Sequence, residues 1–191
     1  SCVVVGRSYE DAPQKTVRFV YNNNDQAGKD ATTFILAKGY NHLVFAYTDM
    51  DELVQTERYQ GYCEALQEYG KKGSTLQLSR LSDEENAVRL QTFLAENPKT
   101  EAFVACDDIM AIRLQRLFKD SDLENHYAMI GFNNSLITEI ASPALTSVDI
   151  FPYELGENAA KLLLADPKNL TEQTVVIPHK IIERESTPDL G

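Results

Sequence analysis

Tryptophan is absent from the 191 residues, and cysteine, histidine and methionine occur three times each. The cysteines, Cys2, Cys63 and Cys106, are odd in number and far apart, with no CxxC pair and no histidine at ligand spacing. That excludes a disulfide framework and a zinc site of the usual spacing. It predicts buried free thiols in a reducing cytoplasm. His42, His126 and His179 are scattered, as structural or surface histidines are. No apolar run is long enough to cross a bilayer. The opening Ser1-Cys2-Val3-Val4-Val5 reads as a short strand, not as a signal peptide. Basic charge is also scarce: 18 Lys and Arg stand against 29 Asp and Glu, a net charge of −11. Such a chain repels phosphate backbones, so DNA contact would need a separate basic module. Finally, GxSxG, GxGxxG, Walker and HExxH motifs are missing, which leaves no catalytic signature and no expected cofactor or metal. The neighbouring carboxylates Asp107 and Asp108 open a helix, where adjacent side chains diverge, and do not make a catalytic pair.

What is present is alternation. Apolar strands at 2–5, 17–20, 43–47, 75–78, 102–106, 128–132 and 146–148 are separated by amphipathic helices, and two short β segments (174–177 and 180–183) close the chain. Asn23-Asn24-Asp25-Gln26 and Ser82-Asp83-Glu84-Glu85 read as helix starts. The first helix is expected to bury Ala27, Ala31, Phe34 and Ile35. The second should bury Tyr62, Ala65, Leu66 and Tyr69, and the helix at 109–118 should turn Ile109, Ile112 and Leu117 inward. Strand–helix repetition of this kind specifies an α/β fold with parallel, doubly wound sheets.

In an open parallel sheet, ligands bind beyond the carboxyl ends of the strands. The strands run out at Tyr47-Thr48-Asp49, at Asp107-Asp108 and at Asn133-Asn134. Carboxylates and amides gathered on one rim suit a polyhydroxylated ligand. Arg58 can bridge two neighbouring sugar oxygens with its rigid fork, and Tyr21, Tyr47 and Phe151 can cover the apolar face of a ring. Each residue has a plainer reading as well. Asp108 is the natural helix N-cap, Asn133 and Asn134 suit a turn, and Arg58 a solvated helix face.

The motifs in order resemble those of the LacI/GalR family of transcriptional regulators. Asn23-Asn24-Asp25-Gln26-Ala27-Gly28 with Ala31-Thr32 and Lys38-Gly39-Tyr40 resembles DNxxAGxxAT…xxGH. Arg58-Tyr59-Gln60-Gly61-Tyr62 with Ala65-Leu66 resembles RxxGYxxAL. Residues 102–111 resemble AxFaxNDxMA, Ile130-Gly131-Phe132-Asn133-Asn134 resembles IGFDD, and Pro143–Val148 with Leu155-Gly156 resembles PxLTTVxxPxxxLG. The ending Ile182–Thr187 resembles LxxRxST, and within the family Val148-Asp149-Ile150 with Ile181–Ser186 is nearest to maltose-operon repressors. Asp107, Asn133 and Asn23 exchange Asp and Asn relative to the pattern, which leaves the particular sugar open.

The resemblance implies a periplasmic-binding-protein-like fold of two Rossmann-like lobes with the ligand in the cleft. It places 1–21 with 151–176 in an incomplete N-terminal lobe, and 22–150 with 177–191 in the C-terminal lobe. The headpiece, the hinge helix and two strand–helix units would precede Ser1. It carries ligand contact to Arg58, Asp107 and Asn133 and cleft-lining positions to Tyr21 and the Ile150–Phe151 crossover, and it puts Leu81 near a position where some members stack an aromatic side chain on the sugar. It implies a cytoplasmic homodimer that senses a sugar, meets DNA through a headpiece outside this chain, has no membrane role and is not an enzyme. The alternatives are a catabolite-control regulator answering to a phosphocarrier protein, and a periplasmic sugar-binding protein.

Overall fold

The structure, a computed structural model, describes residues 2–6, 17–48, 50, 52–121, 123, 126–165 and 174–190. The chain divides into two compact units, one of residues 24–149 with 181–191, the other of residues 1–23 with 150–180.

The larger unit is a six-stranded sheet flanked by helices. Its elements are α1 (Asn24–Ala37), β3 (Leu43–Tyr47), α2 (Leu53–Glu68), β4 (Ser74–Gln77), α3 (Asp83–Glu96), β5 (Ala102–Ala105), α4 (Asp108–Asp120), β6 (Ala128–Phe132), α5 (Ile137–Ile140), β7 (Thr146–Asp149) and β9 (Lys180–Ile182). The strand order is β4-β3-β5-β6-β7-β9, with parallel pairing from β4 through β7. The apolar runs explain this. A parallel strand covered on both faces has no polar side, and β5 and β6 are buried at every position. Phe45, Phe103, Phe132, Ile35, Leu114 and Leu145 fill the core. The order reverses between β3 and β5, which makes that crevice the topological switch point.

Two helix starts follow from single side chains. Ser82 Oγ accepts from Glu85 N at 3.1 Å, and Asp107 Oδ1 accepts from Met110 N at 2.7 Å. The expected N-cap, Asp108, is instead the first residue of α4 and is buried. It accepts bonds from the Ser135 N–H and hydroxyl, both at 2.8 Å, and from the Ser147 hydroxyl at 2.5 Å. Three donors hold it inside, so its neighbour is left to cap. Helices α1 and α2 cross at glycines: Gly28 faces the backbone of Arg58, and Gly61 faces that of Asp25 and Lys29.

The tail is sewn into this sheet. Met129 N donates to Ser186 O at 2.8 Å, the Ser186 hydroxyl donates to Met129 O at 2.6 Å, and Thr146 Oγ1 meets Thr187 Oγ1 at 2.7 Å. Lys38 Nζ reaches Glu183 at 2.6 Å and Asp189 at 2.7 Å.

The smaller unit holds β1 (Cys2–Val5), β2 (Val17–Asn22), α6 (Pro152–Leu164) and β8 (Thr174–Ile177). Its three-stranded sheet has the order β1-β2-β8, parallel throughout. Val20, Leu155, Leu162 and Ile177 form its core.

Several burial expectations fail. Cys106 is buried, but Cys2 and Cys63 are exposed. Tyr69 is the C-cap of α2 and is exposed, and Ile109, in the first turn of α4, is 61% exposed. Phe34 and Ile112 are half-buried at the edge of the core, while Leu117 is buried as expected. Helical spacing gives the face of a helix, but a residue in a terminal turn can overhang the sheet edge and miss the core.

Candidate functional site

The carboxyl ends of β5 and β6 bring Arg58, Asp107 and Asn133 together. Arg58 projects from α2, and its Nη1 donates at 2.6 Å to the carbonyl of Cys106, the residue that follows β5. Its Nη2 donates to Asn133 Oδ1 at 3.1 Å. The guanidinium lies over the Phe132 ring, 4.4 Å from its centroid. Only 4% of Arg58 is exposed, and burial pulls its pKa down to about 10. It still carries its charge at neutral pH, with neutral acceptors on both terminal nitrogens. The buried Nε has no hydrogen-bond partner among the described residues. The plainer reading of Arg58 as a solvated helix residue is therefore wrong. The fork is held in place before any ligand arrives, which is what a recognition group needs.

Around it, Asp107 is half-buried and committed through one oxygen to the α4 cap. Asn133 and Asn134 both adopt positive φ, 101° and 47°, the backbone region where Asn is tolerated best among side chains that have a Cβ. The asparagines thus make the turn and hold polar groups as well. Asn134 is tied to Asp149 at 3.0 Å and accepts from Arg184 at 2.8 Å. Beside Arg58, burial pushes the Cys106 thiol up to about 12, so it stays a neutral thiol. Burial also raises the Asp108 carboxyl, against three donated hydrogen bonds that favour its charge.

The other expected residues are spread. Tyr47 ends β3, half-buried, its ring 6.5 Å from that of Phe45. Leu81 follows β4 and is 96% exposed. Tyr21, on β2, and Phe151, which precedes α6 at φ 49°, belong to the smaller unit. Asp49 lies outside the described residues. The sequence reading missed the polar side chains at and beyond the end of β4, namely Gln77, Ser79 and Arg80, with Arg89 on α3. The strand-end rule that selected Asp107 and Asn133 would have selected Ser79 and Arg80 too.

These features describe an α/β unit with a parallel sheet and a guanidinium held at the carboxyl ends of its central strands. Residues 32–187 match the model of the periplasmic binding protein-like domain. The chain belongs to that family, and the relatives it matches are LacI-type transcriptional regulators. The HTH-type transcriptional regulator RegA of Clostridium saccharobutylicum is 30% identical over 172 residues, which is 86% of this chain and 52% of the relative. A probable maltose operon transcriptional repressor from Staphylococcus aureus superposes with a TM-score of 0.87 at 24% identity, covering 97% of this chain and 67% of that one. The transcriptional regulator CelR in complex with cellobiose gives a TM-score of 0.80 at 24% identity, covering 96% and 58%. The chain thus spans about half the length of the curated relative. Its relatives are transcriptional regulators and not enzymes.

Proposed function

We propose that the chain is the sugar-sensing and dimerisation domain of a LacI-type repressor, with maltose or a related oligosaccharide as effector. The observation that carries this is the buried Arg58 fork, aligned with Asn133 and Asp107 at the strand ends beside the switch point. The similarity to a maltose operon repressor supports it. With a net charge of −11, the domain leaves DNA to a basic headpiece outside this chain. A sugar controls the operator only if it binds two conformations of the regulator with different affinity. Titration calorimetry with maltose should give saturable binding. Absence of heat with maltose, cellobiose and glucose alike would sink the sugar reading.

Dimerisation is assigned to the apolar face where α4 packs on α5. Leu136 and Ile140, at the two ends of α5, are 85% and 82% exposed, and Ile109 in the first turn of α4 is 61% exposed. A second copy would remove this patch from water at about 25 cal/mol per Å². Sedimentation should report a dimer that Ile140→Asp shifts to monomer. A dimer unchanged by that substitution would place the interface elsewhere.

A further inference from the structure

The larger unit carries a cavity of about 290 Å³ on the rim opposite Arg58, at the amino ends of β3 and β4 and beside the turn that follows α3. Strand β3 runs from Leu43, in the lining, to Tyr47 on the Arg58 rim. That is about 13 Å at the rise of a strand, so the two places are separate. Two lysines line the cavity, Lys72 before β4 and Lys99 after α3. Both are exposed, and neither has a carboxylate partner among the described residues. That is unusual in this chain, where acids outnumber bases 29 to 18. Lys29, Lys38, Arg80, Arg89 and Lys161 all stand in ion pairs. His42 adds a third basic side chain to the wall, its Nδ1 3.5 Å from Glu101 Oε2. Among the described residues Glu96 is the one acid in the lining. The cavity thus has an excess of positive charge in a chain whose net charge is −11.

Glu96 and Asn97, at the carbonyl end of α3, also line the cavity, and bare carbonyls there would repel an anion. They are covered. Phe93 O accepts from Asn97 N at 2.8 Å and from Asn97 Nδ2 at 2.9 Å. Asn97 O accepts from Thr100 N at 3.1 Å and from Thr100 Oγ1 at 2.8 Å. The lysines therefore set the local field. An ammonium is a compact point charge with three rotatable donors, which suits a tetrahedral phosphate, whereas a planar carboxylate is matched by the fork of an arginine. The volume lies at the lower end for small-molecule sites and exceeds what an inorganic anion needs. Leu43, Val44 and Pro98 give it an apolar wall. We infer that the cavity at the amino ends of β3 and β4 binds a small organic phosphate, its phosphoryl group held by Lys72 and Lys99 and its carbon body against Pro98. The inference is independent of the sugar reading of the Arg58 site.

An NMR titration of the 191-residue chain tests it, with phenyl phosphate, inorganic phosphate and phenol as probes. Phenyl phosphate should bind saturably and shift the amides of His42, Ser74 and Thr100. Lys72→Met/Lys99→Met should weaken it by at least about tenfold, the loss of one or two charge-assisted hydrogen bonds. Both lysines are exposed and unpaired among the described residues, so thermal melts of that variant should match the parent. Lys71→Met/Lys180→Met removes the same charge from exposed lysines outside the lining and should leave the affinity unchanged, as should Arg58→Lys. An equal loss in the two double variants reduces the effect to net charge and overturns the inference. So do binding that survives Lys72→Met/Lys99→Met, shifts confined to the Arg58 rim, phenol binding as tightly as phenyl phosphate, and no saturation with phenyl phosphate. Inorganic phosphate binding as tightly as phenyl phosphate would leave an anion site without an organic ligand, and that result overturns it too.

Discussion

Arg58→Ala should weaken maltose binding by about a hundredfold or more, the loss of two charge-assisted hydrogen bonds. The same substitution strips the donors from the Cys106 carbonyl and Asn133 Oδ1 and opens a hole over Phe132. Stability therefore falls too, by about 2–4 kcal/mol. Arg58→Lys separates the two effects. A lysine keeps the charge and most of the stem, but its point-like ammonium cannot satisfy two acceptors as a planar fork does. The lysine variant should melt near the parent and still lose most of its maltose affinity. If it titrates like the parent, Arg58 is a structural cation and the ligand is read elsewhere.

Gly61→Ala is expected to be the most damaging single-methyl change in the larger unit. An added Cβ would stand 1.9 Å from the Asp25 carbonyl oxygen and 2.5 Å from Lys29 N, both backbone atoms of α1. Neither can swing aside as a side chain could. The helices must part, at a cost of about 3 kcal/mol, or roughly 10 °C in Tm for a chain of this size. Because α2 also carries Arg58, the displacement should cost maltose affinity as well. Gly156→Ala is the control. A Cβ there meets nothing within 4 Å, and alanine favours the interior of α6 by about 1 kcal/mol. Differential scanning calorimetry should find Gly61→Ala strongly lowered and Gly156→Ala unchanged or raised. Equal behaviour of the two would refute the close-crossing account.

The contrast between these glycines shows where sequence reading is strong and where it stops. Buried parallel strands declare themselves, because runs such as Ala102–Ala105 and Ala128–Phe132 have no polar face to spare. The Ser82 cap is local, closed within four residues, and was legible for that reason. Asp107 and Asp108 were not separable in sequence. What sorts them is Ser135 and Ser147, 27 and 39 residues further on, which claim one carboxylate and leave the other for the helix end. Likewise nothing local shows that Arg58 is buried, since its acceptors come from two strands distant in the chain. A glycine inside a helix was a signal available for the α1–α2 crossing, because it gives up helix propensity that only close packing returns. For the candidate site, strand-end polarity located the rim at the ends of β3, β5 and β6 but left out the end of β4, which lies beside β3.

The tail that ties Ser186 and Thr187 to Met129 and Thr146 has a consequence for biosynthesis. The larger unit is interrupted by the excursion through residues 150–180 and regains its last hydrogen bonds only with residues 181–190. A ribosome releases the chain from its N-terminus at about 5–20 residues per second. The central strands β5 and β6 therefore emerge and collapse long before the residues that fasten them. Until residues 181–190 leave the exit tunnel, the larger unit waits as an unfastened sheet. A chain cut before residue 181 should keep β5 and β6 and lack these closing hydrogen bonds.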